Sequence, residues 1–366
     1  MYAIKTLLNQ YLRFIITVFG IALCVILMLF ILSIYKGSAD GAVQYIRSSG
    51  TDIWVLQNNA TNILRNTSLL SSNYGKTLAS IEGIKSASPV LFLLASVKTR
   101  EHPASIYLAG YDLQSGKGGP PSIIRGKNIL KDDEIVLDHS FAAKYKINIG
   151  DQVFIKNDTL NVTGLSSGTN MFVLQYAFVT LNKAKELFGF SGFVSVYLIN
   201  TNPGAENIAV INSIKEKITN SAVFDNNSFL ENNNYEVKSG ILPLLFIVAL
   251  IGGVVLTAIL SLILTVNVLE QRKDYAIMKA LGASSGFIPG MIIKQSLMLA
   301  GCGMILALVL FFPLCNLVER ISPEISAVSS LLQVILVTTS LAVISLISSV
   351  IPGLKLREIY PLEVFQ

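Results

Sequence analysis

The residues best suited to a chemical task lie at 270–282, Glu-Gln-Arg-Lys-Asp-Tyr-Ala-Ile-Met-Lys-Ala-Leu-Gly, between two long apolar runs. At about 100° per residue, Arg272 and Lys279 fall on one side of a helix while Ile277, Leu281 and Met278 gather on another. One face can lie in a membrane surface or a protein groove while the other offers positive charge to a partner. The hydrocarbon would expel such a segment, because each Lys or Arg at its centre costs several kcal/mol. The chemistry is therefore docking, at a membrane edge.

Bond-making chemistry is poorly supported. Gly110 to Gly118 superficially resembles a phosphate loop, but five residues separate Gly110 from Gly116, and Lys117 is followed by Gly118 instead of a magnesium-binding hydroxyl. A turn explains the stretch better. His102 and His139 are the two histidines, and even with Asp138 beside His139 they make a poor metal set. Neither a nucleophile elbow, a zinc motif nor a kinase motif is present, so no catalytic residue and no metal ligand is assigned. Lys294, within an apolar run, fits an anchor that snorkels to the interface. Gly282, Gly286 and Gly290 recur every four residues, a spacing that suits helix packing in lipid and equally suits loop glycines.

The elements that must position the 270–282 segment follow from composition. Of 366 residues 52% are hydrophobic and 14% charged, and mean hydropathy is positive. Four runs can span a core that needs roughly 20 helical residues: 14–35, 241–269, 288–318 and 331–351. The first is longer than a signal-peptide core and reads as a retained anchor. Lys5 and Arg13, then Arg272, Lys273 and Lys279, then Lys355 and Arg357 flank the spans on one side, so both termini and the 270–287 loop are expected to be cytoplasmic. Residues 1–13 read as an amphipathic interfacial helix, with Ile4, Leu7, Leu8 and Tyr11 on its apolar face. Residues 352–366 form a cytoplasmic tail.

Residues 36–240 then lie outside, giving a one-plus-three layout around a large mixed α/β extracytoplasmic domain. Strands are expected at Asp52–Gln57, Val90–Lys98, Ser105–Tyr111, Glu134–Asp138, Leu160–Leu165 and Val194–Ile199. Helices are expected at Leu78–Lys85, through Ala142 and Lys144, and at Ala205–Ile218. The rhythm suggests two lobes with an inserted β-rich module near 115–175, the Gly/Pro-rich Ser115–Pro121 marking the boundary. Cys24, Cys302 and Cys315 all lie in apolar spans, so no disulfide framework holds the outer domain. Ser166–Phe178, with Met171, Phe172 and Tyr176, reads as a strand edge packed inward or as a contact loop. Pro313 is expected to kink or end the third span near its outer end. The second span exceeds the hydrocarbon thickness, at roughly 46 Å for its 31 or so residues, and its surplus could project outward as a stalk.

Val268 to Ser284, with the one-plus-three layout and the closing Lys355-Leu356-Arg357-Glu358-Ile359-Tyr360-Pro361-Leu362-Glu363, resembles the FtsX/MacB-type ABC transporter permease family, of which LolC/LolE-like and DevC-like proteins are examples. Thr51–Val55 and Gly164–Asn170 are similar in a looser way. Asp274 stands where the family usually has Glu, and Ser284, Ser285 and Gly286 replace frequent basic residues.

The resemblance implies a permease subunit of the bacterial inner membrane that lacks ATPase motifs. It implies that the subunit acts as a dimer, with a second copy or a paralogue, among membrane lipids. A separate cytosolic ABC ATPase would hold the ATP and Mg, this chain binding no cofactor and no nucleic acid. Glu270, Arg272, Lys273, Tyr275, Ile277, Met278, Lys279, Leu281 and Gly282 would couple it to that ATPase, whose motion would extract or export a lipid, lipoprotein, peptide or small molecule, with a periplasmic adaptor as a further partner. The alternative is an FtsX-like scaffold that activates a cell-wall hydrolase and transports nothing. The outer domain's 19 basic and 17 acidic residues give no electrostatic preference for a substrate.

Overall fold

The computed structural model describes residues 11–63, 65–98, 103–171, 174–270, 275–278, 281, 286–325, 328, 330–350 and 352. It divides into two compact units, one built from residues 1–35, 243–318 and 327–366, the other from residues 36–242 and 319–326. The interfacial helix expected at 1–13 falls outside the described residues up to position 10, and the tail does so beyond Pro352.

Among the described residues four helices are long and apolar enough to cross a membrane. They belong to α1 (Tyr11–Ser48), α6 (Asn226–Glu270), α7 (Phe287–Ile321) and α8 (Leu331–Ser348). The helices that follow them in the first unit pack on one another through Val18, Ile21, Val25, Leu29, Leu260, Leu264, Leu299, Met304, Ala307, Phe311 and Val337. Polar links fix the register where lipid offers none. Gln333 Nε2 donates to the Leu32 carbonyl at 2.8 Å, and the Ser296 and Ser345 hydroxyls lie 2.7 Å apart. Ser330 and Gln333 close a capping box that starts α8. Gly303 permits the tightest crossing, since a Cβ there would lie 2.5 Å from Ile21 Cγ2.

The second unit is built on one ten-stranded sheet. Its strands are β1 (Ile53–Gln57), β3 (Ile84–Lys98), β4 (Pro103–Tyr111), β5 (Ser122–Gly126), β6 (Glu134–Asp138), β7 (Gln152–Ile155), β8 (Asp158–Ser167), β9 (Tyr176–Thr180), β11 (Val196–Thr201) and β12 (Ser221–Asp225). A separate pair joins β2 (Leu70–Ser71) to β10 (Phe193–Val194). The main order is β12-β1-β11-β3-β4-β9-β6-β8-β5. Because β7 pairs with both β8 and β3, the strands β3-β4-β9-β6-β8-β7 close into a ring.

Period-two alternation explains why the ring forms. Leu91, Ala95 and Val97 of β3 point inward with Ile106, Leu108, Leu137, Val153, Ile155, Leu160 and Val179. Val90 and Phe92 point outward into a second core with Tyr45, Trp54, Tyr176 and Phe229. The short helices cover the remaining apolar faces: α2 (Tyr74–Ala79), α3 (His139–Lys144), α4 (Leu181–Phe188) and α5 (Asn207–Lys217). Asp138 and Thr180 cap α3 and α4 through side-chain bonds to Ser140 N and Lys183 N.

The expected strands occur, several of them longer, except that Val194–Ile199 is broken at Ser195 between β10 and β11. The first and second membrane helices extend well past their apolar runs. Helix α1 continues to Ser48 and α6 starts at Asn226, because Tyr45, Ile46 and Phe229 bury themselves on the sheet. Residues 115–175 make no separate module, since β6 and β8 are ring strands and β5 extends the same sheet. Within Ser115–Pro121 it is Gly118 that packs inward: Tyr45 Oη donates to the Gly118 carbonyl at 2.7 Å, and a Cβ on Gly118 (φ +82°) would collide with Val90. Pro313 does not end the third span, and α7 continues to Ile321. The helix expected at Leu78–Lys85 is α2, earlier and shorter, followed directly by β3. Residues 319–326, in the connection between α7 and α8, belong to the outer unit.

Candidate docking site at residues 270–281

Helix α6 ends at Glu270, and residues 275–278 form a short helical turn before α7 begins at Phe287. The Leu281 amide donates to the Ile277 carbonyl at 3.0 Å, which extends the helical bonding by one turn. Tyr275 and Ala276 are fully buried, in the same apolar core as Leu264, Val268, Met291 and Ile292. Met278 is partly buried against that core. Ile277 is 43% exposed and Leu281 83%.

The wheel therefore divides differently from the sequence reading. Met278 turns inward with Tyr275, while Ile277 and Leu281, four apart, share an outward face. Sequence reasoning grouped Met278 with that pair because 100° periodicity alone does not say which side of an apolar arc meets a core. Glu270 is exposed at the end of α6 and has an interaction of its own. Arg272, Lys273, Lys279 and Gly282 lie outside the described residues. What is described is an exposed Ile/Leu pair on a turn held by a buried aromatic ring.

The glycine series divides too. Among the described residues a Cβ on Gly286 or Gly290 would meet no atom within 4 Å, so neither serves a close approach there. Gly303 against Ile21 and Gly253, 3.6 Å from Ile344 Cδ1, are the close contacts. Period-four spacing did not point to Gly303 or Gly253, since lone glycines carry no periodic signal. Lys294 sits on an exposed face of α7, next to buried Gln295 and Ser296.

The outer unit holds a polar cluster that the sequence did not reveal. The Asp138 carboxyl accepts from Ser140 N at 2.8 Å and from Thr169 Oγ1 at 2.9 Å. Burial pushes its pKa up, and those bonds partly offset the shift. Asn170 Nδ2 donates to Ser140 Oγ at 3.1 Å and to the Glu324 carbonyl at 2.9 Å. Lys144 Nζ pairs with Glu324 Oε1 at 2.9 Å, which raises the Lys144 pKa. A Cβ on Gly41 of α1 would strike the Asn170 carbonyl, so glycine is what lets the helix meet this cluster. These groups bond one another, Glu324 Oε2 being left buried without a hydrogen-bond partner among the described residues, and together they form a structural junction. Among the described residues no three His, Cys, Asp or Glu side chains gather as a metal site. The Ser166–Phe178 stretch is largely inward, with Ser166, Thr169, Tyr176 and Phe178 buried and Met171 packed on the core, while Phe172 lies outside the described residues.

An apolar helix set in a one-plus-three order around a ring-and-wing extracytoplasmic domain defines a class of membrane permease. The MacB-like periplasmic core domain family matches residues 14–217 and the FtsX-like permease C-terminal family matches residues 241–361. The chain belongs to this FtsX/MacB-type ABC transporter permease family, whose members are membrane subunits and generally not enzymes. Two solved structures are similar in part. The periplasmic region of MacB from Actinobacillus actinomycetemcomitans is 13% identical, with a TM-score of 0.41 over 51% of this chain and 94% of that one. The extracellular domain of the noncanonic ABC-type transporter YknZ from Gram-positive bacteria is 15% identical, with a TM-score of 0.37 over 48% of this chain and all of that one.

Proposed function

We propose that this chain is the permease subunit of an ABC transporter whose ATP hydrolysis takes place in a separate cytosolic subunit, and that it passes that subunit's motion to its outer domain. The observation that carries the reading is the division at 275–281: Tyr275 and Ala276 are sealed in the helix core while Ile277 and Leu281 stand exposed beside them. A groove on an ATPase closing around Ile277 and Leu281 would push on a base made of α1, α6, α7 and α8 residues. Helix α6 runs without interruption from Asn226 to Glu270, through Pro243, and is the natural lever.

On this reading ATP and Mg bind the partner, both termini are cytoplasmic, and a dimer supplies two handles. Gly286 and Gly290, unused among the described residues, would face lipid or the second copy. The outer domain would extract or export the substrate, with or without a periplasmic adaptor.

The test of transmission uses spin labels at Glu216→Cys on exposed α5, in a background with the three native cysteines replaced, reconstituted with the partner ATPase. The distance between labels on the two permease copies is expected to change between nucleotide-free and nucleotide-trapped states. An unchanged distance in an assembly that hydrolyses ATP would refute transmission and leave a passive scaffold.

A further inference from the structure

One edge of β3 is left open in its middle. Strand β11 pairs with its first half, from Ile84 to Val90, and β7 pairs with Val97 and Lys98 on the same edge. The gap exists because the chain leaves β3 at Ser195, where β10 turns away to pair with β2. Ser195 closes the first position of the gap: its amide donates to the Val90 carbonyl at 2.9 Å, and its hydroxyl accepts from the Phe92 amide at 2.9 Å and bonds the Phe92 carbonyl at 3.3 Å.

Among the described residues Leu94 has no such cover. It sits opposite Tyr107 on β4, but the Tyr107 amide donates to the Gln175 carbonyl at 2.9 Å, on the far side of β4. The Leu94–Tyr107 pair is therefore a non-hydrogen-bonded one, and the Leu94 N–H and C=O point away from β4 into the gap. Between Phe92, held by Ser195, and Val97, paired with β7, the free edge covers Leu93 to Ser96, roughly 13 Å at 3.3 Å per residue, room for a short extended segment.

Beside this edge lies a cleft of ≈ 230 Å³, lined on its apolar side by Ile63, Leu69, Phe92, Leu94, Tyr107 and Phe190. The Leu94 side chain is 63% exposed. One wall is held stiffly: Tyr107 Oη donates to the Ile63 carbonyl at 2.6 Å, and the Ile63 amide donates to Asn233 Oδ1 at 3.2 Å. Arg65 is the one charged residue in the lining, and its guanidinium also lies 3.4 Å from Glu236.

We propose that this cleft binds an extended polypeptide segment by strand addition. The main chain of the segment would bond Leu94, an apolar side chain would enter the cleft, and an acidic group would meet Arg65. A lipid tail could fill the apolar floor, but it carries neither a donor nor an acceptor for the unpaired backbone, whereas another main chain carries both at the right spacing. The proposal does not depend on ATPase coupling.

The probe is a fluorescein-labelled octapeptide of alternating Thr and Val with a central Phe and a C-terminal Asp. It is titrated into the full chain in lipid nanodiscs and followed by anisotropy. Saturable binding is expected, at least ten-fold weaker for the same peptide N-methylated at alternate residues. It should also be at least ten-fold weaker for Leu94→Pro, which removes the free N–H but no β3–β4 bond, because Leu94 is in a non-hydrogen-bonded pair. Arg65→Gln should weaken the acidic peptide and leave an Asn-ended one unchanged. If Leu94→Pro fails to fold, the N-methylated peptide on the unaltered chain decides the matter. No saturation up to about 1 mM overturns the proposal. So does equal binding of the N-methylated peptide, which would mean a greasy cleft only. Loss of self-association in Leu94→Pro without loss of peptide binding also overturns it, assigning the edge to a second copy.

Discussion

Lys144 Nζ lies 2.9 Å from Glu324 Oε1, joining a helix of the outer domain to the connection between the last two membrane helices. The pair is reinforced by Asn170, whose Nδ2 reaches the Glu324 carbonyl at 2.9 Å. Lys144 is 41% exposed, so the ion pair itself is worth no more than about 0.5 kcal/mol. Its effect should be local. Lys144→Met is expected to speed hydrogen exchange at the Ile325 amide, which donates to Ser322 at 2.9 Å, and to leave global unfolding almost unchanged. Because Glu324 raises the Lys144 pKa, the pair holds through neutral pH, and its contribution is lost as pH rises through the raised value, above the ordinary lysine range. Exchange at Ile325 that is insensitive to Lys144→Met would show that Asn170 alone fixes the connection.

Asp138 predicts a pH dependence of the opposite chemical origin. Burial raises its carboxyl above the ordinary aspartate range, against the bonds from Thr169 and Ser140 and the neighbouring His139, which lower it. A carboxyl with a raised folded value binds its proton more readily in the fold, so its contribution favours the fold most at low pH. That contribution falls as pH rises from the ordinary aspartate value through the raised one. Asp138→Asn should flatten this part of the stability curve and cost little at neutral pH, since an amide oxygen can still accept from Ser140. Asp138→Ala should cost about 1 kcal/mol through the lost helix cap. Chemical denaturation across acid pH checks both.

Tyr45 and Gly118 predict how firmly α1 is seated on the sheet. Tyr45→Phe leaves the buried Gly118 carbonyl without the donor it has at 2.7 Å and is expected to cost about 1–2 kcal/mol. Gly118→Ala should be at least as harmful, because it meets both a positive φ and Val90. Tyr45→Phe that unfolds at the unaltered denaturant midpoint would refute the anchoring role.

The membrane helices give a paired prediction. Gly303→Ala should destabilise the helix set, because its Cβ meets Ile21 Cγ2, and should cost less in an Ile21→Ala background, where that Cγ2 is absent. Gly290→Ala should leave the solubilised single chain unchanged, since its Cβ meets nothing among the described residues. A Gly290→Ala effect that appears only in the assembled complex would place that face against a second copy.

How much of this was legible in the sequence depended on the length scale of each signal. Apolar runs of membrane length and the bases flanking them are composition effects, and all four spans were found. Their outward extensions were not, because Tyr45 and Phe229 are buried by partners far away in the chain, and nothing in the neighbouring polar residues announces it. The strands were readable from alternation, but the ring closed by β7 was not, because the Val97–Ile155 pairing is non-local. Ser115–Pro121 looked like a lobe boundary because glycine and proline mark turns in general; here Gly118 serves close packing instead. In the docking segment, the residue types at 275–281 were legible and their inward and outward assignment was not, since the burial of Tyr275 is decided by Met291 and Ile292 of another helix. The Glu324 contact had no sequence signal at all, since it joins residues 180 positions apart.

The most direct test of the central claim is co-purification of the solubilised chain with its nucleotide-binding subunit. The unaltered protein is compared with Ile277→Asp/Leu281→Asp and with Arg272→Glu/Lys279→Glu, bound proteins being identified by mass spectrometry. An ABC ATPase recovered with the unaltered chain and lost with each double variant, while each variant keeps the unaltered thermal stability, is the predicted result. An ATPase retained by both variants, or absent from the unaltered chain, would contradict docking at 270–281.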